Sequence, residues 1–387
     1  MRRKDGKPKR KARRTLPEYD HGFGSNPATS AYRHPNCTGV RTRDHWTVLS
    51  LFSGCGGLDL SFLGGFRVYG QTFESLPFDI LEALDISEDA VGCHQLNLGS
   101  HARCVDLTDV PPAALPQADV LIGGFPCQDF SSSGPKTGFA GDRGQLYRVL
   151  VEYMEAHRPR VVVAENVPYL ARLRDGEYLE TIIREFEQVG YHFDVWELYA
   201  PDYGLPQSRR RLFLVGVRND LAGYPRMPEP THLGKHLTIA EALADLEEIT
   251  DERVANQSQY FVASRATSGG GQGDHRNLPD KVAYCIRANA RGRIQFHHRL
   301  DRRLTVRECA RLQSFPDEFV FPFTTQRNLT LIGNAVPPIL GYRVAQSVAD
   351  FLGSAQSSAA IHGETRADGT GVAIRRGYAI QPRLFEF

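Results

Sequence analysis

The sequence has no CxxC pair: its seven cysteines lie scattered at positions 37, 55, 93, 104, 127, 285 and 309. That spacing suggests no zinc site, and the odd count argues against a disulfide framework; a reducing, cytoplasmic compartment fits both. No metal is expected. No apolar run approaches the ~20 residues that a bilayer span requires, so no membrane partner is expected either. The charged first residues have no apolar segment behind them, unlike a secretory signal. No internal repeat is visible. A net charge of +1 says nothing by itself about nucleic acid.

The charge that is present is unevenly placed. MRRKDGKPKRKARR holds nine Lys or Arg and one Asp in the first 14 residues, leaving 37 basic and 44 acidic residues elsewhere. Such a run reads as a solvated, disordered tail or as a non-specific clamp on phosphates, and it identifies no function. With 41% hydrophobic and 24% charged residues, the chain can bury a substantial core in roughly two or three domain-sized units.

From Trp46 the pattern becomes regular. TVLSLF reads as a buried strand, ended by the glycines of SGCGG and followed by LDLSFL, which can open a helix. FDILEAL reads as a second strand ending at Asp85, with SEDAVGCHQLN as the helix behind it, and ADVLIGG as a third strand. LYRVLVEYMEAH is helical, PRVVVAENV is a β-branched run, and DVWELYA and RRLFLVGV are two further strands. This alternation predicts an α/β fold: an open, mainly parallel sheet with helices on both faces. Past residue 220, GYPRMPEPTHLGKHL is Pro-rich, ATSGGGQGDHRNLPD is Gly-rich, and CIRANARGRIQFHHR crowds Arg and His around short apolar stretches. TVRECARLQ returns to helical spacing, and VPPILGYRVAQSVADFL reads as a proline-started helix.

Several residues at predicted strand ends carry chemistry. Glycines 54, 56 and 57 follow the first strand, where they allow a sharp turn and close approach to a ligand; a ligand-free turn explains them as well. Asp85 ends the next strand, where nucleotide-type folds place an acid on ribose hydroxyls. Asp106, after another short strand, suits an adenine amino group, although either acid alone also reads as a loop solvator. Cys127 follows a buried strand at the sheet's carboxyl edge, and a thiolate there is a nucleophile; a buried structural thiol is the other reading. SSSGPKTGFAGDRG behind it has the composition of a lid. Glu165 ends an apolar strand beside the same edge, where burial raises proton affinity; a capping or salt-bridged Glu is the alternative. Arg209 and Arg211 fall on one strand face with Arg210 opposite, as two parallel guanidiniums for a phosphate or carbonyl oxygen, or as surface charge.

Together these motifs resemble the cytosine-5 DNA methyltransferase family, of the bacterial restriction-modification type. FSGCGG resembles its cofactor loop, GGFPCQDFS its nucleophile motif, ENV its acid motif and QSRRR its Gln-x-Arg-x-Arg motif. RRLTVRECARLQSFPDEF and IGNAVPP resemble the last two, all in the family's order across residues 48–353. The resemblance implies a Rossmann-like methyltransferase sheet with a smaller target-recognition domain, and S-adenosyl-L-methionine as cofactor. Cys127 would attack carbon 6 of a cytosine flipped out of duplex DNA. Glu165 would hold the exocyclic amine and ring nitrogen 3 and supply a proton, Arg211 would hold the base carbonyl, and Arg209 would support the nucleophile loop. Phe52 would stack on the adenine, Asp85 would take the ribose and Asp106 the adenine amine. Ser53, Gly54, Gly56, Gly57, Ile86 and Leu107 would surround them. Leu146, Asn334 and Val336 would complete the pocket, with Pro126 beside the sulfonium. Gln128, Ser131, Ser133 and Arg143 are the implied DNA contacts. Ser50 and Leu331 stand where many members carry Asp and Gln, and Asp85 replaces a commoner Glu.

The expected organisation is a basic tail and lead-in (1–45), a catalytic and cofactor domain (46–220), a target-recognition domain (221–300), a return to the catalytic domain (301–353) and a C-terminal tail (354–387). Duplex DNA is the expected partner of a monomer, with a cognate restriction endonuclease encoded nearby. A tRNA cytosine methyltransferase or a catalytically silent DNA-binding regulator would share the fold. A nucleotide-dependent oxidoreductase would leave the Cys, Glu and Arg constellation unused.

Overall fold

Strand β1 (Trp46–Leu51) is buried at all six residues, so its four apolar residues are broken only by Thr47 and Ser50 and do not alternate with exposed polar ones. It belongs to a computed structural model that describes residues 44–126, 146–248, 275–288 and 295–361. The expectations for the basic tail, for Cys127, Gln128, Ser131, Ser133 and Arg143, and for the chain past 361 fall outside the described residues.

Helix α1 (Gly57–Leu63) leads from β1 into a hairpin of β2 (Phe66–Val68) and β3 (Gln71–Phe73). Then come β4 (Phe78–Asp85), α2 (Glu88–Leu98), β5 (Ala102–Cys104) and β6 (Val120–Gly123). They are followed by α3 (Tyr147–His157), β7 (Val161–Asn166), α4 (Glu177–Gln188), β8 (Tyr191–Tyr199) and β9 (Arg210–Arg218). The remainder contributes α5 (Ile239–Leu243), the two-residue strands β10 (His275–Arg276) and β11 (Gln295–Phe296), α6 (Val306–Leu312), α7 (Thr325–Asn334) and α8 (Pro338–Ile361). Among the described residues no helix is long and apolar enough to cross a membrane.

The main sheet runs β5-β4-β1-β6-β7-β9-β8. The first five strands in that order are parallel, and β9 lies antiparallel to both β7 and β8. From β1 the chain moves outward through β4 and β5, then returns to β6 on the other side. The carboxyl ends of β1 and β6 therefore flank the crevice where such sheets bind ligands. Alternate β1 residues feed opposite faces. Val48 packs with α1, α2 and α8 residues such as Phe62, Val91 and Leu340. Leu49 and Leu51 pack with α3 and α4 residues such as Leu150 and Phe186. Both faces are thus covered by helices, as the strand–helix alternation predicts.

The structure differs from expectation in three places. The β2–β3 hairpin was not anticipated, although Tyr69 (φ 52°) and Gly70 (φ 70°) form the left-handed pair that a tight hairpin turn needs. The boundary expected at 353 falls inside α8, which continues to Ile361. Described parts of 221–300 have no core of their own: Ile239, Leu243, Ala283, Ile286 and Phe296 lie in the same buried cluster as Val48 and Phe62.

Asn97 shows how the C-terminal part is fastened to this frame. Its side-chain amide donates to the carbonyls of Cys93 and Val320, each at 2.8 Å, and its oxygen accepts the Val320 N–H at 2.7 Å. Asn97→Ala leaves both backbone groups of Val320 without that partner. It should lower stability by about 1–3 kcal/mol, read as a shift in the urea midpoint at unchanged slope.

Candidate active site

The loop after β1 is shaped by three left-handed residues, Phe52 (φ 55°), Gly54 (φ 57°) and Gly56 (φ 91°). The Ser53 N–H donates to the Leu84 carbonyl at 3.0 Å and the Gly54 N–H to Asp85 Oδ2 at 2.9 Å, so the loop is tied to the end of β4. A Cβ on Gly57 would stand 2.4 Å from the Val336 carbonyl oxygen, and one on Gly56 2.5 Å from Leu98 Cδ1. These two glycines permit close packing against α2 and the segment before α8.

A cavity of about 590 Å³ opens over the carboxyl ends of β1, β4, β6 and β7. Of the expected cofactor residues, Phe52, Ser53, Gly54 and Gly57 line it from the loop, and Asp85, Ile86, Asp106 and Leu107 from the ends of β4 and β5. Pro126, Leu146, Asn334 and Val336 close other sides. Gly56 does not line the cavity; it faces Leu98 and His94 instead.

The lining suits a nucleoside-bearing ligand. Ile86 is 66% exposed although large and apolar, and it shares the wall with Phe52, so apolar surface is offered to a flat ring. Half-buried Asp85 accepts the Ser87 and Gly54 N–H groups at 2.8 and 2.9 Å. Burial pushes its carboxyl above the ordinary value, and those two bonds pull against it. Half-buried Asp106 is held below the ordinary value by the Thr108 hydroxyl and N–H, at 2.7 and 3.0 Å from Oδ1. Ser53 Oγ is buried with no hydrogen-bond partner among the described residues.

Glu165 and Arg211 line the same cavity. Glu165 sits near the end of β7, with its Oε1 2.6 Å from Arg211 Nε on β9. Burial pushes the Glu165 carboxyl up from its ordinary value, while Arg211 and, behind it, Arg209 pull it down. Gly124 leaves room beside it: a Cβ there would approach Oε2 to 3.1 Å.

Arg209 behaves otherwise than expected. It does not stand parallel to Arg211 facing the cavity, and β9 begins one residue later. Its guanidinium is buried, with Nη1 donating to the Ile286 carbonyl at 2.8 Å and Nη2 to those of Gly333 and Ala335 at 2.9 and 2.8 Å. Burial lowers its proton affinity to about 10. Gln207 joins this knot, accepting the Ile286 N–H at 2.8 Å and donating to the Leu312 carbonyl at 3.0 Å. Gln313 bonds the Ile332 and Ala335 carbonyls at 3.0 and 2.8 Å.

Two polar residues that sequence reasoning did not single out prove central. Asn166, beside Glu165, donates to the Phe125 carbonyl at 3.1 Å and so holds the turn leading to Pro126 and Cys127. Gln313 is the second. Asn166 follows the apolar run VVVA by two residues, which was an available signal, whereas Gln313 follows a helix carrying Arg307, Glu308 and Arg311 and had none.

One other cluster has metal-ligand chemistry: Glu247, His297 and His298 bring ligand atoms within 4.8 Å of one another. Its proton placement argues against a metal. His297 Nδ1 accepts the N–H groups of Arg299 and Leu300, both at 3.0 Å, so Nε2 carries the ring proton. The carboxylates of Glu247 and Glu308 already meet the guanidiniums of Arg299 and Arg302.

The profile of the C-5 cytosine-specific DNA methylase family matches residues 46–270 and 256–350. The chain is 33% identical over 334 residues to the Type II methyltransferase M.NgoFVII of Neisseria gonorrhoeae, covering 78% of this chain and 86% of that one. It is 30% identical over 338 residues to M.FnuDI of Fusobacterium nucleatum, covering 79% and 94%. In fold it matches the Entamoeba histolytica methyltransferase EhMeth at TM-score 0.61 and 17% identity, over 80% of this chain and 99% of that structure. A profile spanning the crevice, both walls of the cavity and the Glu165–Arg211 pair leaves one conclusion: the chain belongs to the C-5 cytosine-specific DNA methylase family.

Proposed function

We propose that this enzyme, a DNA cytosine-5 methyltransferase, moves a methyl group from S-adenosyl-L-methionine to carbon 5 of a cytosine flipped from duplex DNA, with Cys127 as nucleophile. The observation that carries the reading is one cavity at the sheet's switch point. It holds a nucleoside-type lining, the Glu165–Arg211 pair, and Pro126, the residue before Cys127. Phe52, Ile86, Asp85 and Asp106 would hold the nucleoside, and Pro126, Leu146, Asn334 and Val336 the rest. When bound, the cofactor supplies an electrophilic methyl group.

The chain's own residues must make a poor nucleophile react. Carbon 5 of cytosine belongs to an electron-poor aromatic ring. Addition of the Cys127 thiolate at carbon 6 breaks the aromaticity, and a proton delivered to ring nitrogen 3 by Glu165 turns the 5,6 bond into an enamine that is nucleophilic at carbon 5. Burial raises the proton affinity of Glu165 against the pull of Arg211 and Arg209, which favours that donation. Arg211, 2.6 Å from Glu165 and open to the cavity, would hold the base carbonyl. After methyl transfer, loss of the carbon 5 proton to a solvent base expels the thiolate, and the proton on ring nitrogen 3 returns to the Glu165 carboxylate, which restores the ring. Flipping the base costs a few kcal/mol, roughly, which pocket contacts must offset.

Arg209 is assigned a positioning role through residues 333–335 and 285–286 rather than contact with substrate. Target reading is assigned to residues within 221–300, where Arg, Asn and His side chains could meet base edges. The Type II methyltransferase names of the relatives favour DNA over tRNA; work on chromosomal DNA in the cytoplasm, as a monomer alongside a cognate endonuclease, completes the proposal. Bisulfite sequencing of DNA from cells expressing the protein tests the reading directly: methylation must appear at one sequence context.

Duplex DNA carrying 5-fluorocytosine at that context cannot lose a proton from carbon 5. It should therefore trap wild-type protein covalently in the presence of cofactor, and Cys127→Ser should give no adduct on a denaturing gel. Glu165→Gln should slow single-turnover methylation by about 10²–10⁴-fold. In the wild type the protonated carboxyl is the active form, so the rate should fall as pH rises through its raised value; in the Gln variant that limb should vanish.

A further inference from the structure

The string QSRRR leaves its middle arginine without a task. Arg210 opens β9, and strand periodicity turns it to the sheet face opposite Arg211. The β7–β9 ladder fixes its height: Glu165 pairs with Phe213, and Asn166, the last residue of β7, with Leu212. Arg210 therefore stands past the carboxyl end of β7, about 10 Å beyond the level of Glu165 at the usual strand rise. The cavity opens over that same edge. The distance corresponds to about three base-pair steps along a DNA axis, so a duplex whose base enters the cavity lies across this rim.

Arg210 has a second cation beside it. Its Nη1 lies 3.5 Å from Glu197 Oε1 on β8, and Arg172 Nη2, from the segment that follows β7, lies 3.9 Å from the same oxygen. Two guanidiniums thus share one carboxylate, and the group keeps a net positive charge. Among the described residues neither guanidinium donates a hydrogen bond at these distances. The Arg172 and Arg210 side chains are 60% and 42% exposed, against 12% for Glu197, so the cations face solvent and their counter-charge sits behind them.

Tyr199 keeps Arg210 in place. The guanidinium lies over the Tyr199 ring, 4.3 Å from its centroid, and the His236 ring meets the same ring at 6.0 Å and 80°. Buried Asp202 holds His236 in turn, its Oδ1 2.7 Å from Nε2. A guanidinium resting on an aromatic ring loses freedom of movement but keeps its in-plane N–H donors, and that fork matches phosphate oxygens. Phosphate is also the anion that a duplex presents to a surface outside its grooves.

We infer that Arg210 and Arg172 bind a backbone phosphate of the DNA substrate at the rim of the cavity. Tyr199 is the positioning residue of Arg210, and Glu197 is a counter-charge against which the phosphate competes. The inference rests on duplex DNA as substrate and on the cavity as the place where the base enters.

The salt dependence of binding tests it. Anisotropy of a labelled duplex is titrated with the full chain at salt concentrations from about 50 to 200 mM, where each phosphate contact adds about 0.9 to the slope of log K against log salt. Arg210→Ala and Arg172→Ala should each flatten that slope by up to about 0.9. They should weaken binding by the same factor on a duplex bearing the methylated context and on a scrambled one, since a phosphate contact carries no sequence information. Arg210→Lys keeps the charge and should restore most of the slope. Glu197→Gln should tighten binding, the opposite of what loss of a structural ion pair would give. An unchanged slope in Arg210→Ala, a loss confined to the target duplex, or weaker binding in Glu197→Gln would overturn the proposal. Unchanged affinity for S-adenosylhomocysteine shows that a variant is folded at the cavity; should Arg210→Ala lose it, Arg172→Ala, on a separate segment, decides. A wild-type protein that binds no duplex refutes the DNA reading itself, a result distinct from an unchanged slope in Arg210→Ala.

Discussion

The buried guanidinium of Arg209 is the tie on which the cavity wall depends. Among the described residues it hydrogen-bonds no carboxylate; three backbone carbonyls, those of Ile286, Gly333 and Ala335, compensate it instead. Burying a charge without such partners would be prohibitive. Carbonyl dipoles serve only if the chain segments bearing them are held in place, so the ion and the segments fix one another. Residues 333–335 form a wall of the cavity, whereas Ile286 lies in a segment that is far away in sequence. Gly333 makes the contact intimate: a Cβ there would stand 2.3 Å from the Ala288 nitrogen. The wall of the cofactor cavity and the chain at 286–288 therefore cannot move independently.

That tie also explains what the sequence could and could not say. The strands were legible because β6 and β7 carry the apolar runs VLIG and VVVA, and β1 breaks its apolar run only at Thr47 and Ser50. Glu165 and Asp85 could be placed at the edge where this topology binds ligands because each stands at or next to the end of a strand. Arg209 and Arg211 look alike in the string QSRRR, and strand periodicity gives them one face. The structure separates them because β9 starts at Arg210 and Arg209 precedes it. Whether an arginine meets a substrate or three carbonyls from residues 77 to 126 positions away is a long-range fact with no local signature. Gly56 is a similar case. Its positive φ was foreseeable from the turn, but its contact with Leu98 and His94 depends on how α2 packs.

The region expected to form a separate recognition domain shows the same limit. Its Pro-rich and Gly-rich composition suggests a change of domain, yet Leu243, Ala283 and Phe296 are buried in the core shared with β1 and α1. Capping boxes at Thr238–Glu241 and Thr305–Glu308 start α5 and α6, which pack against each other across that supposed boundary. Composition registers loops, while membership of a core depends on where a few apolar residues land. The described parts of 221–300 are thus the roots of the region, anchored in the catalytic core.

Four carboxyl groups stand in or under one cavity, and their surroundings divide the work among them. Asp106 is half-buried, and its Thr108 bonds favour the ionised form, so it is a standing acceptor. Asp85 is half-buried, with each oxygen already accepting one backbone N–H, which fixes its orientation before any ligand arrives. Glu165 is buried enough for desolvation to outweigh two guanidiniums, and it alone of the four combines raised proton affinity with an ion-pair partner that also opens on the cavity. Asp59 does not line the cavity; it is buried beneath it and accepts the Ser50 hydroxyl at 3.1 Å. The depth of the Glu165 side chain, beside Gly124 and on a strand paired antiparallel with β9, is what sets its raised proton affinity apart from the lowered one of Asp106.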